Sequence, residues 1–275
     1  MKTILIPTDF SEESKTSAGY GIQLAKEKNA KLILLHVFHI PVYAGNDPVF
    51  MPPFDEFENS NIDMLNDYEN EIRVKYSFTN PIENITKSGF LINEIADIVE
   101  NKNVDLIVMG ISDAGKFSEL ILGSNAIGVI KNTACPTLIV PKGATYRPIN
   151  TIVFACDDIE KIRDTGALKQ ITKYVELFNS KLIVINVVDS FENIDFKQTL
   201  FEAKNKTIFE AINYSVHFIE GDNLIKNIND FIDKNNADLL IMIPKKHTAF
   251  SKLFHFSSTK KMAFRSHIPL LAIHE

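Results

Sequence analysis

Short and almost wholly apolar runs recur along the chain at Ile4 to Ile6, Leu32 to Val37, Leu106 to Met109 and Thr137 to Val140. Runs that lack polar alternation suit strands covered on both faces, as in a parallel sheet. Between them the apolar period lengthens to that of a helix. After Asp9, Ser11 is placed to cap a helix whose first turn carries Glu12 and Glu13 and whose apolar stripe is Ala18, Ile22 and Ala25, closing near Asn29. A second helical pattern runs from about Leu91 to Asn101, with Ile92, Ile95, Ala96 and Val99 inward. Strand and helix in alternation predict doubly wound α/β domains. Such sheets take ligands beyond the carboxyl ends of their strands, where strand order reverses, so the residues after Ile6 and after Met109 are where chemistry is expected.

The pattern occurs twice. Thr3-Ile-Leu-Ile-Pro-Thr-Asp9 matches Thr151-Ile-Val-Phe-Ala-Cys-Asp157, and Asn29-Ala-Lys-Leu-Ile-Leu-Leu-His-Val37 matches Asn179-Ser-Lys-Leu-Ile-Val-Ile-Asn-Val187. Val104-Asp-Leu-Ile-Val-Met-Gly110 matches Ala237-Asp-Leu-Leu-Ile-Met-Ile243, and that register holds through Val140 and Ile273. The first copy is longer in its middle, after Val37, where Pro41, Gly45, Pro48, Pro52 and Pro53 break regular structure. The 40–76 insertion carries Phe50, Phe54, Phe57 and Tyr68 among acidic residues, either as packing or as a lid or partner surface. Pro141, Gly143 and Pro148 mark a linker and divide the chain into domains 1–146 and 147–275.

Composition narrows the class. Of 275 residues, 45% are hydrophobic and 23% charged, which suits a globular protein and excludes disordered, collagenous and disulfide-scaffold chains. No apolar run approaches the roughly 20 residues that cross a bilayer, and no signal-peptide pattern opens the chain, so a cytoplasmic location away from membranes is expected. The net charge of −6 falls entirely within residues 1–147, and neither half has the basic excess of a nucleic-acid binder. Cys135 and Cys156 sit beside apolar strand residues and read as buried reduced thiols.

The strand ends carry Pro7-Thr8-Asp9, His36-Val37, and Gly110-Ile-Ser-Asp-Ala-Gly-Lys-Phe-Ser-Glu-Leu-Ile-Leu-Gly123-Ser124-Asn125. Glycines there let backbone approach an anion or adopt positive φ, and a helix starting at Gly123-Ser124 offers free N–H groups and a hydroxyl. This combination resembles the universal stress protein family, whose domains pair a strand ending in P-x-D with V-M-G-x-x-G-x9-G-S after the fourth strand. The resemblance covers nearly the whole chain as two tandem copies. It implies Rossmann-like domains of the adenine-nucleotide α-hydrolase type that pair through their last strands, here Thr137 to Val140 and Leu270 to Ile273. It also implies ATP bound by Pro7, Thr8, Asp9 and Val37 at the adenosine end, and by Met109, Gly110, Gly123, Ser124 and Asn125 around ribose and phosphates. The second loop glycine of the family is Asp113 here, with Gly115 and Lys116 close by in sequence, and a Mg²⁺ ion accompanying ATP would offset that charge.

The second copy keeps Asp157 and Ser257, but Ile243 and Phe256 replace the two glycines and Pro244 follows, so it is expected to serve as an attached structural partner without nucleotide. Other readings of the same residues are weaker. Gly110-x4-Gly115-Lys116 matches most of a Walker A loop, yet Phe117 stands where Ser or Thr must hold the metal. A nucleophile elbow fails at Ser112 because Gly110 to Gly115 is one residue too long. Asp9 and Asp157 could instead cap the helices that follow them. His36 and His39 read as a core-edge and a loop histidine, with no third ligand to make a metal site. From Lys245 to Arg265 the cations Lys245, Lys246, Lys252, Lys260, Lys261 and Arg265, with His247 and His255, form a solvated face or an anion or partner site. No residue is placed as a general base for fast turnover, so at most slow ATP hydrolysis is expected. The sequence therefore reads as an ATP-binding stress-response module, able to form homo-oligomers, with a non-nucleotide interaction scaffold as the competing reading.

Overall fold

Strand β1 (Thr3–Pro7) has Ile4, Leu5 and Ile6 fully buried, as its unbroken apolar run requires of a strand covered on both faces. The structure, a computed structural model, describes residues 1–40, 54–111, 124–156, 166–188, 199, 209, 212–220, 223–244, 262 and 266–274. It forms two compact units, Met1–Cys135 and Pro136–Glu275.

In the first unit β1 pairs in parallel with β2 (Lys31–Phe38) on one side and β4 (Leu106–Gly110) on the other. Strand β3 (Ile82–Ser88) lies outside β2, giving the order β3-β2-β1-β4. The reversal of order falls between β1 and β4, where a doubly wound sheet opens a crevice. Helix α1 (Glu12–Glu27) begins as expected, with Ser11 as N-cap accepting from the Ser14 amide at 3.2 Å. It lies close on the sheet at Gly21, where a Cβ would come within 2.9 Å of Ile6 and 3.1 Å of Val108. Helices α3 (Leu91–Lys102) and α4 (Ser124–Asn132) belong to the same unit.

Helix α2 (Phe54–Tyr76) is a departure from the insertion read in the sequence: residues 54–76 form 23 residues of continuous helix, while 41–53, with Phe50, lie outside the described residues. Its buried positions are Asn61, Leu65, Tyr68 and Ile72, one stripe at helical spacing. Phe57 packs edge-on against Phe38 with centroids 5.3 Å apart, so part of the aromatic content is packing, whereas Phe54 remains exposed.

The second unit is built from β5 (Thr137–Val140), β6 (Thr151–Cys156), α5 (Ala167–Phe178), β7 (Lys181–Val188), β8 (Tyr214–Glu220), α6 (Leu224–Lys234), β9 (Leu239–Met242) and β10 (Leu270–Ala272). Strand order is β8-β7-β6-β9-β10-β5, all parallel except β5, which runs antiparallel to β10.

The two units share one arrangement at the amino ends of their strands. Asp105 Oδ2 accepts from the Lys2 and Thr3 amides at 2.6 and 3.2 Å, and Asp238 Oδ2 accepts from the Asn150 and Thr151 amides at 2.9 Å each. The helix exits Asn29, Asn103, Asn179 and Asn236 all adopt left-handed backbone, with φ between 48° and 52°, a conformation asparagine tolerates better than most residues. Among the described residues no helix is long and apolar enough to cross a membrane.

Candidate functional site

The carboxyl ends of β1, β2 and β4 border one cavity in the first unit. Pro7, Thr8 and Asp9 line it from β1, Val37 and His39 from β2, Met109 and Gly110 from β4, and Asn125 and Ala126 from the first turn of α4. Helix α1 adds Ser11, Glu13, Ser14 and Ser17, and α3 adds Leu91. Of the nine nucleotide-site candidates, the structure brings together Pro7, Thr8, Asp9, Val37, Met109, Gly110 and Asn125. Ser124 opens α4, while Gly123 lies outside the described residues, as do Ser112, Asp113, Gly115, Lys116 and Phe117.

Asp9 has a defined structural task. Its Oδ1 accepts from the Ser11 hydroxyl at 2.6 Å and the Ser11 amide at 3.0 Å, which ties the end of β1 to the cap of α1. Partial desolvation pulls the Asp9 carboxyl upward, but hydrogen bonds from Ser11 and Ser14 outweigh it and hold the group below the usual aspartate range. Asp9 is thus ionised at the cavity wall and already engaged in shaping the turn. Gly110 likewise has a packing reason. Its backbone is not in the left-handed region, and a Cβ there would stand 3.0 Å from Ser17 Oγ and 3.3 Å from the Glu13 carbonyl oxygen, so glycine lets α1 lie closely against the end of β4.

Two residues that sequence reasoning missed set this geometry. Phe10 takes φ 62°, unusual for a bulky residue, and its amide donates to Thr8 Oγ1 at 3.0 Å. Its ring lies 4.6 Å from the His36 ring and 5.8 Å, edge-on, from Tyr68. Asn61 of α2 is the other. His36 Nδ1 lies 2.9 Å from the Thr8 carbonyl oxygen and Nε2 lies 3.0 Å from Asn61 Oδ1, while Asn61 Nδ2 donates to the Phe57 carbonyl at 2.7 Å. His36 is therefore the core-edge residue expected, a strut between α2 and the cavity floor. The α1 hydroxyls had a legible signal, since Ser11, Ser14 and Ser17 recur every third residue and so share a helix face.

The cavity is chemically mixed. Asn125 and Ala126 belong to the first turn of α4, whose backbone N–H groups are not used within the helix and carry the positive end of its dipole. Val37, His39 and Leu91 contribute apolar and aromatic surface, and Thr8, Ser11 and Ser14 contribute hydroxyls. Among the described lining residues the formal charges are the carboxylates of Asp9 and Glu13. No group of three or more His, Cys, Asp or Glu side chains able to hold a metal occurs among the described residues. Cys135 is buried, and burial followed by the nearby Asp105 carboxylate pushes its thiol up to about 12; Cys156 is buried as well.

In the second unit Ile243 and Pro244 are buried at the exit of β9. Asp157, Phe256, Ser257 and the basic residues Lys245, Lys246, Lys252, Lys260, Lys261 and Arg265, with His247 and His255, lie outside the described residues.

Comparison with known proteins follows the same division. Residues 1–141 match the model of the universal stress protein family. A universal stress protein of Methanocaldococcus jannaschii is 32% identical over 146 residues, spanning 51% of this chain and 82% of the relative. A second from the same organism is 30% identical over 157 residues, spanning 51% of this chain and 95% of the relative. A crystal structure of a universal stress protein from Archaeoglobus fulgidus covers 99% of this chain and 98% of its own, with a TM-score of 0.75 at 21% identity, a likeness of fold.

Proposed function

The chain belongs to the universal stress protein family, and on that premise we propose that its first unit binds an adenine nucleotide, ATP with its accompanying Mg²⁺, in a cytoplasmic stress-response role. The observation that carries this is the gathering of Pro7, Thr8, Asp9, Val37, Met109, Gly110 and Asn125 around one cavity at the reversal of strand order. The N-terminal turn of α4 at Asn125 suits phosphate, and the apolar surface of Val37 suits the adenosine moiety. Mg²⁺ enters as the phosphate counter-ion, with no protein ligand assigned to it. The second unit, with buried Ile243 and Pro244 where the first has Gly110 and Ile111, serves as the structural partner. Bound nucleotide then biases conformation or association, including association between copies of the chain, and turnover is slow at most because Asp9 is engaged with Ser11.

The test is calorimetric titration of Mg-ATP and of adenosine into the wild-type protein and Asn125→Asp. A carboxylate in the first turn favours helix α4 itself, so the variant keeps its fold while repelling phosphate. Saturable ATP binding at one site per chain, weakened about tenfold or more in Asn125→Asp with adenosine unaffected, supports the reading. The acidic lining of Asp9 and Glu13 favours the scaffold reading instead if folded protein gives no heat with either ligand at millimolar concentration.

A further inference from the structure

Strands β2 and β3 leave the sheet side by side: Phe38 is in register with Ser88, and the Gly89 amide donates to the Phe38 carbonyl at 3.1 Å. The next residues, His39 and Phe90, therefore face one another, with ring centroids 5.7 Å apart at 61°. His39 lines the cavity together with Val37, two residues earlier on the same side of an extended chain, and Leu91 lines it immediately after Phe90. The Phe90 ring is thus flanked by lining residues, yet it is 71% exposed, with His39 against one side.

Local physics gives no reason for phenylalanine here. Phe90 is the N-cap of α3, in extended backbone with φ −102° and ψ 123°, and it makes no side-chain capping bond. That position favours Ser, Thr, Asp or Asn, so the chain forgoes a cap and exposes a large apolar ring next to His39 and Leu91, which line the cavity. A local rule broken without a packing gain is where function is expected to compensate.

We infer that Phe90, backed by His39, is a base-stacking wall that extends the apolar surface of Val37 and selects purine nucleosides and nucleotides over pyrimidine ones. This rests on the adenine-nucleotide reading and adds the residue that recognises the base. A flat, largely exposed ring with an aromatic neighbour against one side is suited to stacking on a nucleobase, and the wider purine gains more overlap than a pyrimidine. Recognition by this wall is independent of the number of phosphates.

Two variants test it. Phe90→Ser supplies the missing cap, so its thermal midpoint should equal or exceed that of wild type while affinity for adenosine and for ATP falls together, about tenfold. Phe90→Trp introduces the only tryptophan in the chain, and its emission should change saturably with adenosine and ATP, less with UTP, and not with inorganic tripolyphosphate. Affinity of Phe90→Ser within twofold of wild type, or an indole signal that tracks tripolyphosphate, overturns the inference and leaves nucleotide binding standing. Wild-type protein that binds neither adenosine nor ATP removes the nucleotide reading and this inference together.

Discussion

Asp9 and Phe10 turn the chain from β1 into α1, and both do so at a local cost. Phe10 holds left-handed backbone, which for an ordinary residue costs about 1–2 kcal/mol, offset by rings of His36 and Tyr68 packed against it. Asp9 is held ionised by Ser11 and Ser14 against partial desolvation. Because its folded carboxyl lies below the unfolded value, the stabilisation it gives is present above the unfolded aspartate range and is lost as pH falls through the folded value. Denaturation of wild type and Asp9→Asn followed from neutral to acid pH should therefore show a gap that is constant near neutrality and closes below about pH 4. A gap that widens on acidification would contradict the assignment. The Asp9 role was open in the sequence between ligand contact and helix cap. The structure establishes the turn-shaping task, while Phe10 was invisible because no residue type announces positive φ in a phenylalanine.

At the scale of elements, α1 and the end of β4 are fitted to one another through Gly110 and Ser17. Gly110→Ala should thus lower the unfolding free energy measured by urea denaturation without any ligand, by about 1–2 kcal/mol, and Ser17→Gly in the same chain should restore part of it. An effect seen only in the presence of nucleotide would mean the glycine serves the ligand alone. Strands β1, β2, β4 and β5, their repeats in the second copy, and α1 were legible because unbroken apolar runs and a capped, acidic first turn are strong local signals, and α3 was placed to within a residue; β3 and β8 were not, because IENITKS and YSVHFIE interleave polar and apolar residues. Helix α2 was obscured by its composition: Asn61 and Tyr68 occupy buried positions of its stripe, so polarity hid a helical period that Leu65 and Ile72 alone mark weakly. Asn61 is polar there because it receives His36, a partner distant in sequence. In the site, strand-end residues were legible from topology, whereas His39 and Leu91 join the cavity through the β2–β3 pairing, which sequence spacing does not display.

Across the whole molecule, the repeat is kept where strands begin and altered where they end. Asp105 and Asp238 each bind two amides at the start of the first strand of their copy, and Asp238 also pairs with Arg147 at 2.8 Å. Replacing either with alanine leaves backbone donors unmet, at about 1–3 kcal/mol in equilibrium denaturation. Asp238→Ala should cost more, because the Arg147 guanidinium loses its carboxylate partner and keeps only the Ala237 carbonyl, and because Asp238 is the more buried of the two carboxylates. Equal and negligible losses would show these contacts to be incidental. At the other end, Gly110 of the first copy answers to Ile243 in the second, and the repeated aspartate contacts do not depend on that difference. The second unit is in that sense a chassis with its mounting points intact: a protein engineer could rewrite its strand exits to hold a new ligand without first redesigning the frame that carries them.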